Sequence, residues 1–270
     1  MKLKKVLLTS MVAASFVLTG CNKDVAKTTV KTETTTPTTS QTSVITTTTQ
    51  AKKVYTHAEY ISAKVDEEVT IKAVIQERCT FYNNKASFYL ADKDGGYYVY
   101  NLACTEEEYQ TLVKGTELEI TGSKAEWKGQ AEIDYGKATE NQEWKITGTN
   151  KEIRQVISVS NISKAELDKY KNLVVSVTEL TVTEAPFTDW TTKEFTPAVG
   201  TDIYFTVKDS QNNTATYVVE SYLESTQFDS TVYTKAGQLK VGDKINLKGF
   251  VYYYDEPQLQ VTEITDFVTE

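Results

Sequence analysis

The chain has 270 residues, 40% of them hydrophobic, with 29 Lys and Arg against 37 Asp and Glu and a formal net charge of −8. This acidic balance argues against a protein whose main task is to coat phosphate backbones. One His and only two Arg, Arg78 and Arg154, leave few groups for acid–base or phosphoryl-transfer chemistry, while 17 Tyr beside 12 Gly and 4 Pro favour β structure.

The first twenty residues, 1–20, have the pattern of a signal peptide. Three Lys stand among the first five residues, and the apolar stretch at 6–18 is too short for a transmembrane helix. The stretch ends in Leu18, Thr19, Gly20 and Cys21, which resembles the bacterial lipobox. The resemblance implies cleavage before Cys21, a lipid on its thiol, and a protein anchored to the cell membrane on its extracytoplasmic, cell-surface side. A plain secretory signal followed by an incidental Cys is the alternative.

A Thr-rich segment follows at residues 21–53. Thirteen Thr lie between positions 22 and 50, and the apolar residues there are too few to build a core. We predict a disordered stalk. It either lifts the folded part away from the membrane or is a linker without a selected length.

The rest of the chain shows one pattern twice, at 54–146 and 147–270, each with a net charge of −7. The clearest match joins 114–122 to 241–249, where a Gly turn precedes an alternating strand that ends in Gly. The second pattern differs by an insertion at 185–200. The predicted elements of the first pattern are a helix at 56–62 capped by Thr56, strands at 69–76, 88–91 and 97–100, a helix at 105–112 with Thr105 and Glu108 as a capping box, and strands at 114–122 and 131–133. Those of the second are a helix at 163–170, strands at 173–177, 203–207 and 216–219, no clear helix at 221–240, and strands at 241–249 and 259–264.

Three strands, a helix and two more strands is the order of the OB fold, a small five-stranded barrel. The segments at 69–76, 88–101, 115–122 and 242–264 resemble the nucleic-acid-binding-like OB-fold domains of bacterial surface lipoproteins. The predicted fold class is therefore all-β with minor helix, as two tandem five-stranded Greek-key barrels of OB type after the stalk. Because OB folds serve many functions, the resemblance implies a fold and leaves the ligand open.

No group of residues indicates catalysis, and we expect a protein that is not an enzyme and that has no cofactor and no metal. His57 stands at the start of a predicted helix, where a solvated side chain is expected. Residues 92–95 resemble the start of a calcium loop, but Gly96 occupies the next ligand position and no distal Glu follows, so a tight hairpin turn is expected. A hydrolase assembled from distant carboxylates is left open.

Cys79 and Cys104 both fall in the first barrel of a chain that is expected to be exported. A disulfide between them would stabilise the barrel by about 3 kcal/mol. Two buried free thiols are the alternative, and the sequence favours neither.

Aromatic residues are the remaining signal. Side chains alternate along a strand, so one face of the third strand of the first barrel carries Tyr98 and Tyr100. Trp127 and Trp190 lie beside turn signals, and OB folds use such residues to stack bases or sugar rings. The candidate ligand-binding residues are Trp127, Trp190, Tyr98, Tyr100, Tyr252 and Tyr254. For any one Tyr, a place in the barrel core is the alternative.

The leading hypothesis is a membrane-anchored, non-catalytic binding protein for an extracellular oligosaccharide, peptide or protein. The alternative within the same fold is single-stranded nucleic-acid binding through the aromatic faces, with Lys85, Lys124 and Lys128 meeting phosphates, although no basic cluster of sufficient size is visible. A structural spacer in the envelope is the third hypothesis. Neither the packing of the two barrels nor the oligomeric state is predicted.

Overall fold

The computed structural model describes residues 52–137 and 139–268. The predicted signal peptide, the lipobox of Leu18, Thr19, Gly20 and Cys21, and the Thr-rich segment up to residue 51 lie outside the described residues. Within the part of the chain that is described, no helix is long and apolar enough to cross a bilayer.

The first sheet closes into a barrel. Its elements are α1 (His57–Ser62), β1 (Glu68–Arg78), β2 (Lys85–Ala91), β3 (Gly96–Ala103), α2 (Glu106–Thr111), β4 (Glu117–Trp127), β5 (Gln130–Asp134) and β6 (Glu143–Gly148). The strands pair in the order β1–β2–β3–β5–β4, and β1 pairs with β4 to close the ring. This is the strand order of the OB fold, as predicted. The strand β6, which no sequence pattern predicts, extends the sheet along β4.

Both predicted helices of the first barrel form, and each begins with a capping box. The Thr56 hydroxyl accepts a hydrogen bond from the Glu59 N–H, and the Glu59 carboxylate accepts one from the Thr56 N–H. Thr105 and Glu108 make the same reciprocal pair at α2. Since the two helices have only six residues each, these caps satisfy a large share of their free N–H groups.

The second sheet repeats this order. Its elements are β7 (Ile157–Ser158), α3 (Lys164–Leu167), β8 (Val174–Phe187), β9 (Ile203–Lys208), β10 (Thr214–Val219), α4 (Thr231–Gly237), β11 (Lys244–Tyr254) and β12 (Glu256–Asp266). The strands pair as β11–β12–β10–β9–β8, and β11 also pairs with β8. The link between β10 and β12 is the shortest, with one register pair, Val218 and Gln260. At 221–240, where no helix is legible in the sequence, Ser230 caps the short helix α4.

The two barrels pack directly against each other. Buried side chains from both form an interface cluster, which consists of Cys79, Tyr89, Tyr98, Leu223 and Phe250. The rings of Tyr89 and Phe250 stack with centroids 4.1 Å apart. At Gly96 the backbones come so close that a Cβ atom would lie 2.6 Å from the carbonyl carbon of Asn172. The position therefore requires Gly, because any side chain would push the barrels apart.

Polar contacts also join the barrels. The Arg78 guanidinium donates to both carboxylate oxygens of Glu224, at 2.5 and 2.6 Å. Nearby, the backbone N–H of Thr80 donates to the carbonyl of Tyr222 at 2.7 Å. The chain changes from the first sheet to the second between Gly148 and Ile157. A bidentate Arg–carboxylate pair fixes orientation as well as distance, so the barrels have a defined relative position.

Candidate functional site

A cavity of about 660 Å³ lies between the two barrels. This volume falls within the range of about 300–1,000 Å³ that is typical of small-molecule sites. Half of its lining residues are aromatic, and they come from both barrels: Tyr89, Tyr98, Tyr100 and Trp127 from the first, and Tyr204, Tyr222, Tyr252, Tyr253 and Tyr254 from the second. Five of the six aromatic candidates therefore line one cavity, and Trp190 is the exception.

Strand alternation positions the wall that the first barrel contributes. In β3, Tyr97 and Val99 point into the barrel core, so Tyr98 and Tyr100, which strand alternation places on one face, are on the outward face. The outward residues of β5 face the same way. They are Gln130, Glu132 and Asp134, which alternate with the core residues Ala131 and Ile133. Parallel pairing of β3 with β5 sets Tyr98 beside Glu132 and Tyr100 beside Asp134, so rings and carboxylates lie in adjacent rows.

The β4–β5 turn of the first barrel meets the β11–β12 turn of the second at the edge of the cavity. The rings of Trp127 and Tyr254 make an edge-to-face contact with centroids 5.3 Å apart. The ammonium group of Lys128 pairs with the Asp255 carboxylate at 2.9 Å, and the Asp255 N–H donates to the Lys128 carbonyl at 2.8 Å. Equivalent turns of the two barrels thus form one rim.

A buried polar network closes the second barrel's side of the cavity. The Tyr89 hydroxyl donates to Gln260 Oε1 at 2.6 Å, and Gln260 Nε2 donates to Glu220 Oε1 at 3.0 Å and to the Tyr222 hydroxyl at 2.8 Å. Burial raises the pKa of Glu220 to about 7, although hydrogen bonds from Tyr222 and Gln260 act in the opposite direction. This network crosses the barrel interface and fixes the Gln260 amide.

Among the described residues, Glu132 is the buried carboxylate of the wall that has no partner, whereas Glu126, which also makes no side-chain hydrogen bond or ion pair, is exposed. Glu132 is 8% exposed and lines the cavity, and within the described residues its side chain makes no hydrogen bond and no ion pair within 4 Å. Burial, and then repulsion by Asp134, raise the pKa of Glu132 to about 7. The charge of Lys124 lowers the pKa of Glu132, but its effect is smaller than those of burial and Asp134. The Lys124 ammonium group itself donates to the Ala125 carbonyl at 3.0 Å.

Trp190 lies outside the cavity wall, on the loop between β8 and β9. Its ring is 55% exposed and packs against Tyr204, with centroids 5.0 Å apart, and against Phe187 at 5.1 Å. Because Tyr204 itself lines the cavity, Trp190 contacts the back of one wall residue. The ammonium group of Lys193 lies 4.5 Å from the centre of the Trp190 ring.

The disulfide that the sequence allowed between Cys79 and Cys104 is not formed. Both are free, buried cysteines. They belong to different clusters, because Cys79 lies in the interface cluster and Cys104 in the core of the first barrel. The Cys79 thiol is instead 3.9 Å from the Tyr98 hydroxyl.

The structure also corrects the expectation for His57, whose ring is half-buried rather than solvated. Its Nε2 lies 3.1 Å from the Gly96 carbonyl oxygen, and its ring meets that of Tyr97 edge to face. Burial lowers the pKa of His57. The turn at 92–95 is a hairpin turn in which Asp92 Oδ1 accepts from the N–H groups of Asp94 and Gly95, both at 2.7 Å. Over 52–137 and 139–268, no group of three His, Cys, Asp or Glu is arranged to hold a metal ion.

Of the three lysines considered for phosphate contacts, Lys124 is buried, at 4% exposure, and Lys128 is paired with Asp255. Lys85 is exposed at the start of β2. They do not form one basic surface at the cavity, and its lining within the described residues includes no Lys or Arg.

Sequence reasoning missed the polar half of the wall. The alternation of Ala131 and Ile133 as core residues implies that Gln130, Glu132 and Asp134 face outward together, so this signal was present in β5. Glu220 and Gln260 gave no such signal, because their role depends on how the second barrel docks on the first.

No protein-family model and no curated protein matches the chain. Comparison with solved structures finds DNA-binding proteins. A replication protein A heterotrimer bound to single-stranded DNA has 14% identity and a TM-score of 0.29, over 67% of this chain and 43% of that chain. A murine DNA-binding protein bound to double-stranded DNA has 10% identity and a TM-score of 0.33, over 70% and 92%. The wild-type single-stranded DNA-binding protein from Thermus aquaticus has 12% identity and a TM-score of 0.25, over 77% and 96%.

DNA is the ligand class named for these three proteins, and none of them is described as binding a glycan or a peptide. The present chain spans less than half of the replication protein A chain that it matches. Identities of 10–14% and TM-scores of at most 0.33 assign no ligand here. The strand pairings themselves establish the fold, because a closed five-stranded ring in the order β1–β2–β3–β5–β4 is an OB barrel.

Proposed function

We propose that this chain is a non-catalytic binding protein that takes its ligand in the cavity between the two barrels. The observation that carries the proposal is the cavity wall, in which aromatic rings of both barrels surround a space of small-molecule size. Tyr and Trp rings present flat apolar faces, and the Gln, Tyr and carboxylate groups between them provide the few polar contacts that orient a ligand.

The charge of the wall favours a ligand that is not an anion. Four carboxylate residues line the cavity, and the lining within the described residues includes no Lys or Arg. They are Glu126, Glu132, Asp134 and Glu220. Like charges repel at close range, so a phosphate group there would be opposed. A sugar, or a small group from a peptide, fits the chemistry better.

Single-stranded nucleic acid is the second candidate. Aromatic rings on OB strands can stack bases without reading sequence, and the solved structures compared above bind DNA. In that case the bases would occupy the cavity and the phosphates would remain outside it, near the rim at Lys128. The salt dependence of binding separates the two candidates, because each phosphate contact releases counterions.

The experiment is a binding screen with neutral oligosaccharides, peptides and single-stranded oligonucleotides, followed by titration of each hit against Trp127→Ala. We expect a hit with weak salt dependence that Trp127→Ala loses. Tyr82→Ala is the control, because Tyr82 is 73% exposed and does not line the cavity. An oligonucleotide whose affinity falls steeply with salt would establish the second candidate, and a screen without hits would favour the structural spacer.

We also propose that a lipid on Cys21 holds the protein at the outer face of the cell membrane, with 22–53 as the stalk. The proposal rests on the lipobox pattern alone. Metabolic labelling with an alkyne fatty acid in a bacterial host tests it. Label is expected on the wild-type protein and not on Cys21→Ser, and equal labelling of both would refute it.

A further inference from the structure

The unpartnered carboxylate of Glu132 points to the charge of the ligand. We infer that the ligand carries an organic ammonium group, which enters the cavity between the aromatic rings and pairs with Glu132. This inference rests on the proposed function, since it names the ligand class of the same cavity.

Glu132 is buried without a partner. The residue is 8% exposed, and no described side chain or backbone group donates a hydrogen bond to its carboxylate. The other deeply buried carboxylate of the wall, Glu220, accepts a hydrogen bond from Gln260 at 3.0 Å. A buried carboxylate is costly unless a donor or a cation meets it, so Glu132 is the position in the wall where a ligand cation would gain most.

Aromatic rings lie on the strands beside Glu132. Tyr98 is its register neighbour on β3, and Trp127 lies on the adjacent strand β4 in register with Gln130, two residues before Glu132. Aromatic faces attract ammonium ions, and rings combined with a carboxylate suit a large, weakly hydrated organic cation. A metal ion would need several oxygen ligands in place of these rings.

The two lysines nearest to this part of the wall, Lys124 and Lys128, do not form an ion pair with Glu132. Lys124 donates to the Ala125 carbonyl and lies over the Tyr60 ring, 4.8 Å from its centre. Lys128 is engaged by Asp255 at the rim. An incoming ammonium group therefore meets an open carboxylate and does not have to displace an internal ion pair.

The affinity for such a ligand should depend on pH. Since burial and Asp134 raise the pKa of Glu132 to about 7, the carboxylate is mostly charged at pH 8 and mostly neutral at pH 6. The charged groups that face it or line the same cavity are Asp134, Glu126, Glu220 and Lys124. The thiol and phenol groups of the lining are those of Cys79, Tyr89, Tyr98, Tyr100, Tyr204, Tyr222, Tyr252, Tyr253 and Tyr254. Choline, whose charge does not change with pH, should bind about ten-fold more weakly at pH 6 than at pH 8.

The test uses three pairs of probes on the full chain at pH 8, each an ammonium compound with an uncharged counterpart. The pairs are choline with 3,3-dimethylbutan-1-ol, cyclohexylammonium with cyclohexanol, and a glucosamine trimer with an N-acetylglucosamine trimer. In at least one pair, the ammonium member should bind ten-fold or more tightly than its counterpart. Glu132→Gln should remove this preference, and Glu140→Gln, which changes an exposed carboxylate outside the cavity, should keep it.

Two results would overturn the inference. One is that no ammonium probe binds better than its counterpart, which includes the absence of any binding by the ammonium probes. The other is that Glu132→Gln still prefers the ammonium probe over its uncharged counterpart, with a thermal unfolding transition that shows the variant to be folded. If uncharged probes bind at least as tightly as their ammonium counterparts and Trp127→Ala abolishes that binding, the inference fails but the proposed function stands.

Discussion

Replacing Glu132 by Gln should stabilise the protein at alkaline pH and have no effect at acidic pH. Burial and Asp134 raise the pKa of Glu132 to about 7, from 4.5 in the unfolded chain. The folded state binds the proton of the Glu132 carboxyl group more tightly than the unfolded chain does. The stability that this protonation provides is fully present below pH 4.5 and is lost as the pH rises through 7. A shift of this size corresponds to about 3 kcal/mol. Gln is neutral at every pH, so the variant avoids the loss.

The assay is chemical unfolding of the wild-type protein, Glu132→Gln and Glu140→Gln between pH 4.5 and 8.5. The free energy of unfolding of Glu132→Gln minus that of the wild type should be near zero at pH 4.5 and rise to at most about 3 kcal/mol at pH 8. Effects of all other titrating groups largely cancel in this difference. Glu140→Gln should give a flat difference, since Glu140 is exposed. A flat or falling difference for Glu132→Gln would refute the description of Glu132 as a buried carboxylate without a partner.

Four further predictions concern buried hydroxyl groups, the contact at Gly96 and the buried thiols. Tyr89→Phe should lower the free energy of unfolding by about 1–3 kcal/mol, because it leaves a buried amide oxygen without its donor. Tyr60→Phe should leave the free energy of unfolding unchanged, because the buried Tyr60 hydroxyl has no hydrogen-bond partner. If chemical unfolding showed the same loss of free energy for Tyr60→Phe as for Tyr89→Phe, this prediction would be wrong. Gly96→Ala should lower the free energy of unfolding by about 2–4 kcal/mol, because the added Cβ would clash with the backbone of the other barrel. If the Gly96→Ala variant melted at the same temperature as the wild type, that close contact would be contradicted. Burial raises the pKa of Cys104 to about 11 and that of Cys79 further, so both thiols should react with a thiol reagent only on unfolding. Rapid labelling of native protein would show them to be accessible.

Much of the fold could be predicted from local signals. The capping boxes at Thr56 and Thr105 mark the starts of α1 and α2, and alternation in β3 places Tyr97 and Tyr98 on opposite faces of the strand. These features depend on neighbours in sequence, so a single chain reveals them. The strand β6 could not be predicted in this way, because its partly exposed residues show no alternation of buried and exposed positions.

The site was predictable only in part, for a physical reason. Alternation showed which Tyr residues share a face of a strand, but it did not show which face is outward. The cavity exists because a second barrel covers the outward face of the first. The docking depends on contacts between distant residues, such as the Tyr89–Phe250 stack and the Arg78–Glu224 pair. Nothing in the local sequence of Arg78 indicates its partner. The position of Trp190 outside the cavity could not be predicted for the same reason, since its ring packs against Tyr204.

The most direct test of the account is an experimental structure of the protein with the ammonium probe of highest affinity, prepared at pH 8. The account predicts that the probe occupies the cavity between the barrels, with its nitrogen against the Glu132 carboxylate and within contact of the Tyr98 or Trp127 ring. A probe bound on the outer face of either barrel, with the cavity unchanged, would contradict it.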